Sequence, residues 1–158
     1  MRRIFMITAA SISLLAQIPA IRAQRPIHTF SIVARDPITG DLGVAVQSHW
    51  FNVGSGVIHA EPGVGAVATQ SIPDIAYGPL GLQLMKAGKS APEALKAMVS
   101  IDAEAAVRQV GMVDAQGRAA SHTGSMDIPE AGGIVGEGFA VQANMMGKNT
   151  VWPAMAKA

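Results

Sequence analysis

Two β-hairpin patterns constrain the fold of this sequence more than any other feature. The first hairpin joins residues 29–34 to residues 42–48 through Asp36-Pro37-Ile38-Thr39-Gly40, and the second joins residues 107–113 to residues 118–123 through Asp114-Ala115-Gln116-Gly117. Turn-forming residues between two β-branched, apolar runs are typical of hairpins, with Pro early and Gly late in the first turn. The sequence therefore predicts mostly antiparallel pairing at both ends of the folded region.

Two helices are predicted between these hairpins. Residues 64–70 form a third strand pattern, and a helical stretch after Pro79 carries Leu80 to Met85 and ends near Gly88. Ser90-Ala91-Pro92-Glu93 has the pattern of a capping box that opens a second helix. Residues 134–142 are predicted as one more strand, and a helix begins at Val151. Because strands and helices are grouped rather than alternating, the fold class is α+β with mostly antiparallel sheets.

Composition and motif spacing exclude several classes of function. The net charge of +1 and the 4% of aromatic residues offer no surface suited to nucleic acid, and the absence of Cys excludes thiolate metal ligands and a cysteine nucleophile. The four histidines show no metal-binding spacing. Residues 63–68 match a dinucleotide-binding fingerprint but run into a strand instead of a helix. No cofactor and no metal is predicted.

The first residues have the layout of a secretory signal peptide. Met1-Arg2-Arg3 precedes an apolar run over residues 4–21, and Ala23 supplies a small residue for cleavage. We expect residues 1–23 to be removed, residues 24–28 to form a short leader and residues 29–158 to form one exported domain that is free of the membrane. A retained membrane anchor is the alternative, although the run is polar and borderline in length for one.

Three of the apolar strand patterns end in short polar clusters. These endings are Gln47-Ser48, Thr69-Gln70-Ser71 and Gln142-Ala143-Asn144. If the three ends lie on one edge of a sheet, their side chains form a polar floor there. The alternative is that each strand becomes polar where it meets solvent, as strands commonly do.

Several segments together resemble the DUF1028 family of uncharacterised bacterial proteins, which is grouped with the N-terminal-nucleophile (Ntn) hydrolases. The resemblance rests on residues 29–37 (TFSIVARDP), 42–48 (LGVAVQS), 63–70 (GVGAVATQ), 77–79 (YGP), 108–111 (RQVG) and 142–145 (QANM). It implies a four-layer αββα sandwich and, at the level of the superfamily, hydrolysis of an amide bond. Fold analogy alone is a weak argument for function.

The resemblance also implies a catalytic group. An Ntn hydrolase attacks with the side chain of its first mature residue, and the α-amino group of that residue acts as the base. The matching residue here is Thr29, which relatives expose by losing the Met before it. Ser48, Gln70 and Asn144 would line the site with it, and their alternative role is hydrogen bonding at strand ends.

Two departures from the family leave three hypotheses open. Cleavage after Ala23 leaves Gln24 to His28 ahead of Thr29, and an amide nitrogen cannot act as a base. The sequence also stops at Ala158, where relatives continue with further helix and strand, so the expected domain is C-terminally truncated. The chain is thus expected to be an exported hydrolase of a small amide or peptide, a non-catalytic ligand-binding domain, or an inactive fragment. Homo-oligomerisation is left open.

Overall fold

The computed structural model of the protein describes residues 27–158, which form two antiparallel sheets and four α-helices. The strands are β1 (Thr29–Arg35), β2 (Leu42–Ser48), β3 (Ile58–Glu61), β4 (Gly65–Ser71), β5 (Arg108–Asp114), β6 (Ala119–Thr123), β7 (Gly132–Gly136) and β8 (Phe139–Asn144). The helices are α1 (Gly54–Val57), α2 (Tyr77–Lys86), α3 (Ala91–Ile101) and α4 (Val151–Lys157). The prediction of a mixed fold with antiparallel sheets is confirmed. The predicted signal peptide and the first part of the predicted leader lie outside the described residues.

Each sheet has four strands, and the two sheets face each other. The first sheet has the order β2-β1-β8-β7 and the second the order β3-β4-β5-β6. Helices α2 and α3 pack on β4, β5 and β6 of the second sheet, and α4 packs on β7 and β8 of the first. Strand β5 is buried along its whole length because one of its faces meets helices and the other meets the first sheet.

Both predicted hairpins are present, and hydrogen bonds and glycine conformations in their turns explain why the chain reverses there. In the first turn, Asp36 Oδ1 accepts hydrogen bonds from the backbone N–H groups of Ile38 and Thr39, at 2.7 and 2.9 Å. Gly40 and Gly117 each hold a left-handed conformation, with φ of 78° and 79°, near the end of the two turns. Glycine adopts this conformation without steric cost, so the turn residues specify the chain reversal locally.

The capping box at the start of α3 is also confirmed. The Ser90 hydroxyl accepts from the backbone N–H of Glu93 at 3.3 Å, and the backbone N–H of Ser90 donates to Glu93 Oε2 at 2.8 Å. Helix α2 begins at Tyr77, earlier than predicted, with Pro79 in its first turn, where a missing N–H group costs nothing. Gly88 follows its end with φ of 94°.

The prediction of a single strand over residues 134–142 is wrong. The chain reverses at Glu137 and Gly138 between β7 and β8, which pair with each other, and Gly138 has φ of 78°. The turn residues Gly136-Glu137-Gly138 were passed over because the runs on both sides of them are apolar and together suit one strand. The short elements α1 and β3 were not predicted, since four residues each carry little periodic signal.

The layer between the two sheets has an apolar half and a polar half. Val33, Ala66, Ala68, Val113 and Ala140 form the buried apolar half. The same strands continue into a polar half made of the side chains of Thr29, Ser31, Gln70, Gln109, Gln142 and Asn144, all of which are buried. Side chains along a strand alternate between its faces, so residues two positions apart extend one inner face from apolar to polar. Burying so many amides and hydroxyls requires hydrogen bonds among them.

Within residues 27–158, no helix is both long and apolar enough to span a bilayer.

Candidate functional site

Gln109 on β5 is the centre of the polar half. Its Oε1 accepts hydrogen bonds from Gln70 Nε2 at 2.6 Å and from Asn144 Nδ2 at 3.0 Å. Its Nε2 donates to the Thr123 hydroxyl and to the backbone carbonyl of Ala143, each at 3.0 Å. The side chain of Gln109 therefore joins β4 and β6, the neighbours of β5 in the second sheet, to β8 of the first sheet.

A second set of contacts extends this network to β1. Gln142 on β8 donates from Nε2 to the Ser31 hydroxyl at 2.6 Å. Its amide lies against Gly111 of β5, where a Cβ atom would collide with it. The absence of a side chain at Gly111 thus creates the space that the Gln142 amide occupies between the sheets.

The Thr29 hydroxyl lies where this polar half opens to the surface. Thr29 begins β1, a central strand, and pairs with Ser48 of β2 on one side and with Asn144 of β8 on the other. Its Oγ1 lies 2.8 Å from Ser48 Oγ, which also accepts from the backbone N–H of Trp50 at 3.2 Å. The Thr29 side chain is 5% exposed, so its hydroxyl is held rather than free in solvent.

Thr29 lies on the wall of a cavity of about 340 Å³. The polar side chains on the wall are Thr29, Ser48, Gln70 and Ser71. The remaining lining residues are apolar and come mostly from loops and from α1: Trp50, Val53, Val57, Ile72, Pro73, Ile128 and Met145. This volume is near the lower end of the roughly 300–1,000 Å³ typical of small-molecule sites.

Two residues at the cavity have a left-handed backbone although neither is glycine. Ser71, the last residue of β4, has φ of 72°, and Met145, directly after β8, has φ of 57°. Ser71 Oγ contacts Asp127 Oδ1, and the Met145 carbonyl lies 3.3 Å from His28 Nδ1. Each non-glycine residue held in this conformation lowers the stability of the folded protein by about 1–3 kcal/mol, and such residues cluster at functional sites. Their position beside the cavity marks it as the candidate site.

Asp127 lies behind Ser71 and is partly buried. Burial raises the pKa of the Asp127 carboxyl above its usual range, and the hydrogen bond from Ser71 acts in the opposite direction. Among the described residues, Asp127 Oδ2 is buried without a hydrogen-bond partner. The neutral acid is therefore favoured at this position more than at an exposed aspartate.

In the chain as it stands, His28 precedes Thr29, and the His28 ring contacts the Met145 carbonyl rather than the Thr29 hydroxyl. The His28 carbonyl accepts from the His49 backbone N–H at 3.2 Å, so the pairing of β1 with β2 continues past Thr29. Within residues 27–158, the one hydrogen-bond partner of Thr29 Oγ1 is another hydroxyl, Ser48 Oγ. No cluster of three metal-ligating side chains occurs in that part of the chain either.

Three of the four residues expected at the site share the cavity wall: Thr29, Ser48 and Gln70. Asn144 is fully buried beside them and reaches Gln70 through their common acceptor, Gln109. The polar strand ends therefore come together on one edge, as one of the two sequence interpretations required. Their chemical roles stay a prediction.

Sequence reasoning did not propose Gln109, Ser71 or Asp127 as site residues, although Ser71 belongs to one of the polar strand endings. Gln109 falls inside the second hairpin pattern, where a glutamine flanked by Arg108 and Val110 gives no signal that both faces of the strand are buried. Nothing in the sequence connects Ser71 to Asp127, which lie 56 residues apart.

Taken together, fold and site define an α+β protein of two antiparallel sheets, with a small, mostly apolar cavity at the polar end of the layer between them. The sequence model of a family of unknown function, DUF1028, matches residues 29–158, and the chain belongs to this family. The structure is similar to the crystal structure of protein SPO2555 from Silicibacter pomeroyi, a DUF1028 protein, with a TM-score of 0.79 and 33% sequence identity. That match covers 83% of this chain and 58% of the other, so this chain spans less than two thirds of its relative's length. No curated protein matches the sequence.

Proposed function

We propose that this protein is an exported Ntn-type hydrolase that cleaves a small amide or peptide with Thr29 as its N-terminal nucleophile. The observation that carries the proposal is the place of Thr29, which begins a central strand and holds its hydroxyl on the wall of the cavity. The sequence resemblance to Ntn hydrolases and the two stacked sheets with outer helices support the αββα assignment. The basic and apolar start of the chain supports export.

The chemistry requires the bond between His28 and Thr29 to be cut. Hydrolysis of this bond converts the amide nitrogen of Thr29 into an α-amine, whose pKa is about 7.7–8.0, so that part of it is free base near neutral pH. The Thr29 hydroxyl or an exported peptidase would carry out the cut. Before the cut, the hydrogen-bond partner of Thr29 Oγ1 among residues 27–158 is Ser48 Oγ, a hydroxyl and not a base.

The proposed reaction has two steps. Thr29 Oγ1 attacks the substrate carbonyl carbon, its proton passes to the α-amine and then to the leaving amine, and an acyl ester of Thr29 forms. Water, deprotonated by the same amine, then hydrolyses the ester and releases the acid. Ser48 would position the Thr29 hydroxyl through the hydrogen bond of 2.8 Å between Ser48 Oγ and Thr29 Oγ1. The side-chain amide of Gln70, on the cavity wall, would contact the amide bond that is cleaved. Asn144 would support Gln70 through Gln109.

The test compares two forms of the protein that differ by one residue. One form begins at Thr29 and the other at His28, each released from a fusion partner by a protease that leaves no extra residue. We expect the form that begins at Thr29 to release amine from small amides about 10²–10⁴ times faster, because only in this form is the nitrogen of Thr29 itself a free amine. Thr29→Val, which keeps the branched shape and removes the hydroxyl, should abolish this activity. Equal rates for the two forms would refute the proposed mechanism.

The mass of the protein recovered from an exporting cell shows which form exists naturally. A mass that begins at Thr29 supports the hydrolase, whereas a mass that begins at Gln24 leaves the amine blocked.

A ligand-binding domain is the second candidate, and the continuous pairing of β1 and β2 through His28 favours it. In that case Thr29→Val should retain ligand binding, and neither form of the protein should turn substrate over.

A further inference from the structure

The composition of the cavity wall restricts what can bind beside Thr29. No ionisable side chain is among the described residues that line it, and its apolar residues outnumber its polar ones. The polar groups are concentrated at the strand ends, where Thr29, Ser48 and Gln70 lie. A bound molecule would therefore meet hydrogen-bonding groups on one side and apolar groups on the others.

Gln70 adds an acceptor to this polar side. Its Nε2 is engaged by Gln109, while its buried Oε1 has no hydrogen-bond partner among the described residues. A buried acceptor of this kind gains most from a ligand that donates a hydrogen bond, as an amide N–H group does.

The entrance is apolar as well. Trp50 and Ile72 line the cavity and are 66% and 48% exposed, so their side chains extend from its wall to the surface. An apolar chain that enters past these residues loses contact with water. A charged group would lose its hydration without gaining an ionisable side chain as a partner, as long as the Thr29 nitrogen is in a peptide bond.

We propose that the cavity selects an uncharged amide whose carbonyl carries an apolar acyl chain, with the amide group at Thr29 and Gln70 and the chain against Val53, Val57 and Ile72. This inference names the substrate class of the proposed hydrolase and rests on that function. The volume of about 340 Å³ suits a small molecule rather than a folded partner. Each added methylene contributes to binding until the chain fills the cavity.

Binding is measured by fluorescence, independently of turnover. The chain has two tryptophans, so Trp152→Phe leaves Trp50, on the cavity wall, as the reporter. The probes are acetamide, butyramide, hexanamide and hexanoate, added to the form that begins at Gln24, in which the Thr29 nitrogen is an uncharged amide. We expect affinity to rise about fourfold per methylene along the amides, and hexanamide to bind at least about tenfold more tightly than hexanoate. Equal affinity along the series, equal binding of hexanoate, or no binding of hexanamide would overturn the proposal.

A matched pair of variants tests whether the cavity itself distinguishes hexanamide from hexanoate. Ile72→Lys adds a cation at the entrance, and Ile75→Lys adds the same cation at a nearby residue that is 56% exposed but does not line the cavity. Ile72→Lys should shift the preference toward hexanoate by about tenfold, while Ile75→Lys should leave it unchanged. If both variants show the same shift, the preference for hexanamide over hexanoate does not arise in the cavity, and the proposal is wrong.

Ammonia release by the form that begins at Thr29 separates this inference from the proposed function. Selective binding of hexanamide without ammonia release would refute hydrolysis of this substrate class. It would still support the preference of the cavity for uncharged apolar amides, as the preference of a ligand-binding domain. Release of ammonia with equal rates for acetamide and hexanamide would support the hydrolase and refute the apolar selection.

Discussion

Replacing Gln109 by Met tests whether the polar half of the inter-sheet layer is held together by one side chain. Methionine has nearly the same length and volume, so the substitution removes the amide and leaves the packing largely unchanged. Four hydrogen bonds of 3.0 Å or less are lost, to Gln70, Asn144, Thr123 and the Ala143 carbonyl.

At about 1 kcal/mol for each of these hydrogen bonds, Gln109→Met should lower the free energy of unfolding by about 4 kcal/mol. Gln70, Asn144 and the Ala143 carbonyl stay buried after the change, so their lost partners are not replaced by bulk water. A loss of this size is a large share of the roughly 5–15 kcal/mol that stabilises a typical domain.

The assay is urea unfolding followed by circular dichroism, with the free energy extrapolated to water. Gln47→Met is the matched control, because Gln47 is exposed on β2 and makes only a 3.4 Å side-chain contact with the Ser48 carbonyl. The control should stay within about 0.5 kcal/mol of the unsubstituted protein. If Gln109→Met lowers the free energy of unfolding by less than about 1 kcal/mol more than the control does, the hydrogen bonds of Gln109 do not stabilise the pair of sheets.

Two further predictions concern the surroundings of this network. Gly111→Ala should destabilise the protein by about 1–3 kcal/mol, because the new Cβ collides with the Gln142 amide; Gly43→Ala, where the space is open, is its control, and equal urea midpoints for the two variants would contradict this account. Burial raises the pKa of Asp127 above its ordinary value of 3.8, so the stability that its neutral form contributes is present below that value and is lost as pH rises through the folded pKa. Asp127→Asn should therefore lose less stability than the unsubstituted protein as the pH is raised above about 4, and identical pH profiles in thermal unfolding would show that the Asp127 pKa is not raised.

The parts of the fold that were predicted correctly depend on chemistry within a few residues. The turn after β1 follows from Asp36 and Gly40, and the start of α3 follows from Ser90 and Glu93, which bond to each other across one helical turn. The missed reversal at Gly138 is a weaker local signal of the same kind. Its turn residues, Gly136-Glu137-Gly138, stand between two apolar runs that together also suit one long strand.

The candidate site was only partly predictable for a different reason. Thr29, Ser48 and Gln70 were identified from strand endings and from resemblance, whereas Gln109 gives no sign of its role until β5 is known to be covered on both faces. Ser71 and Asp127 meet through loops, and no periodic pattern relates them.

The sequence by itself determined the β1–β2 and β5–β6 hairpins, the capped helix and the family, because turn residues, a capping box and contiguous motifs act over short distances. Only the tertiary structure decided that Thr29 meets Ser48 and Asn144 while Gln70 meets Gln109, since these pairs depend on strand register. A shift of one residue in any of these strands would turn its polar side chains to the opposite face of the sheet. The cavity exists because burial of the apolar half sets those registers and so brings the polar strand ends together.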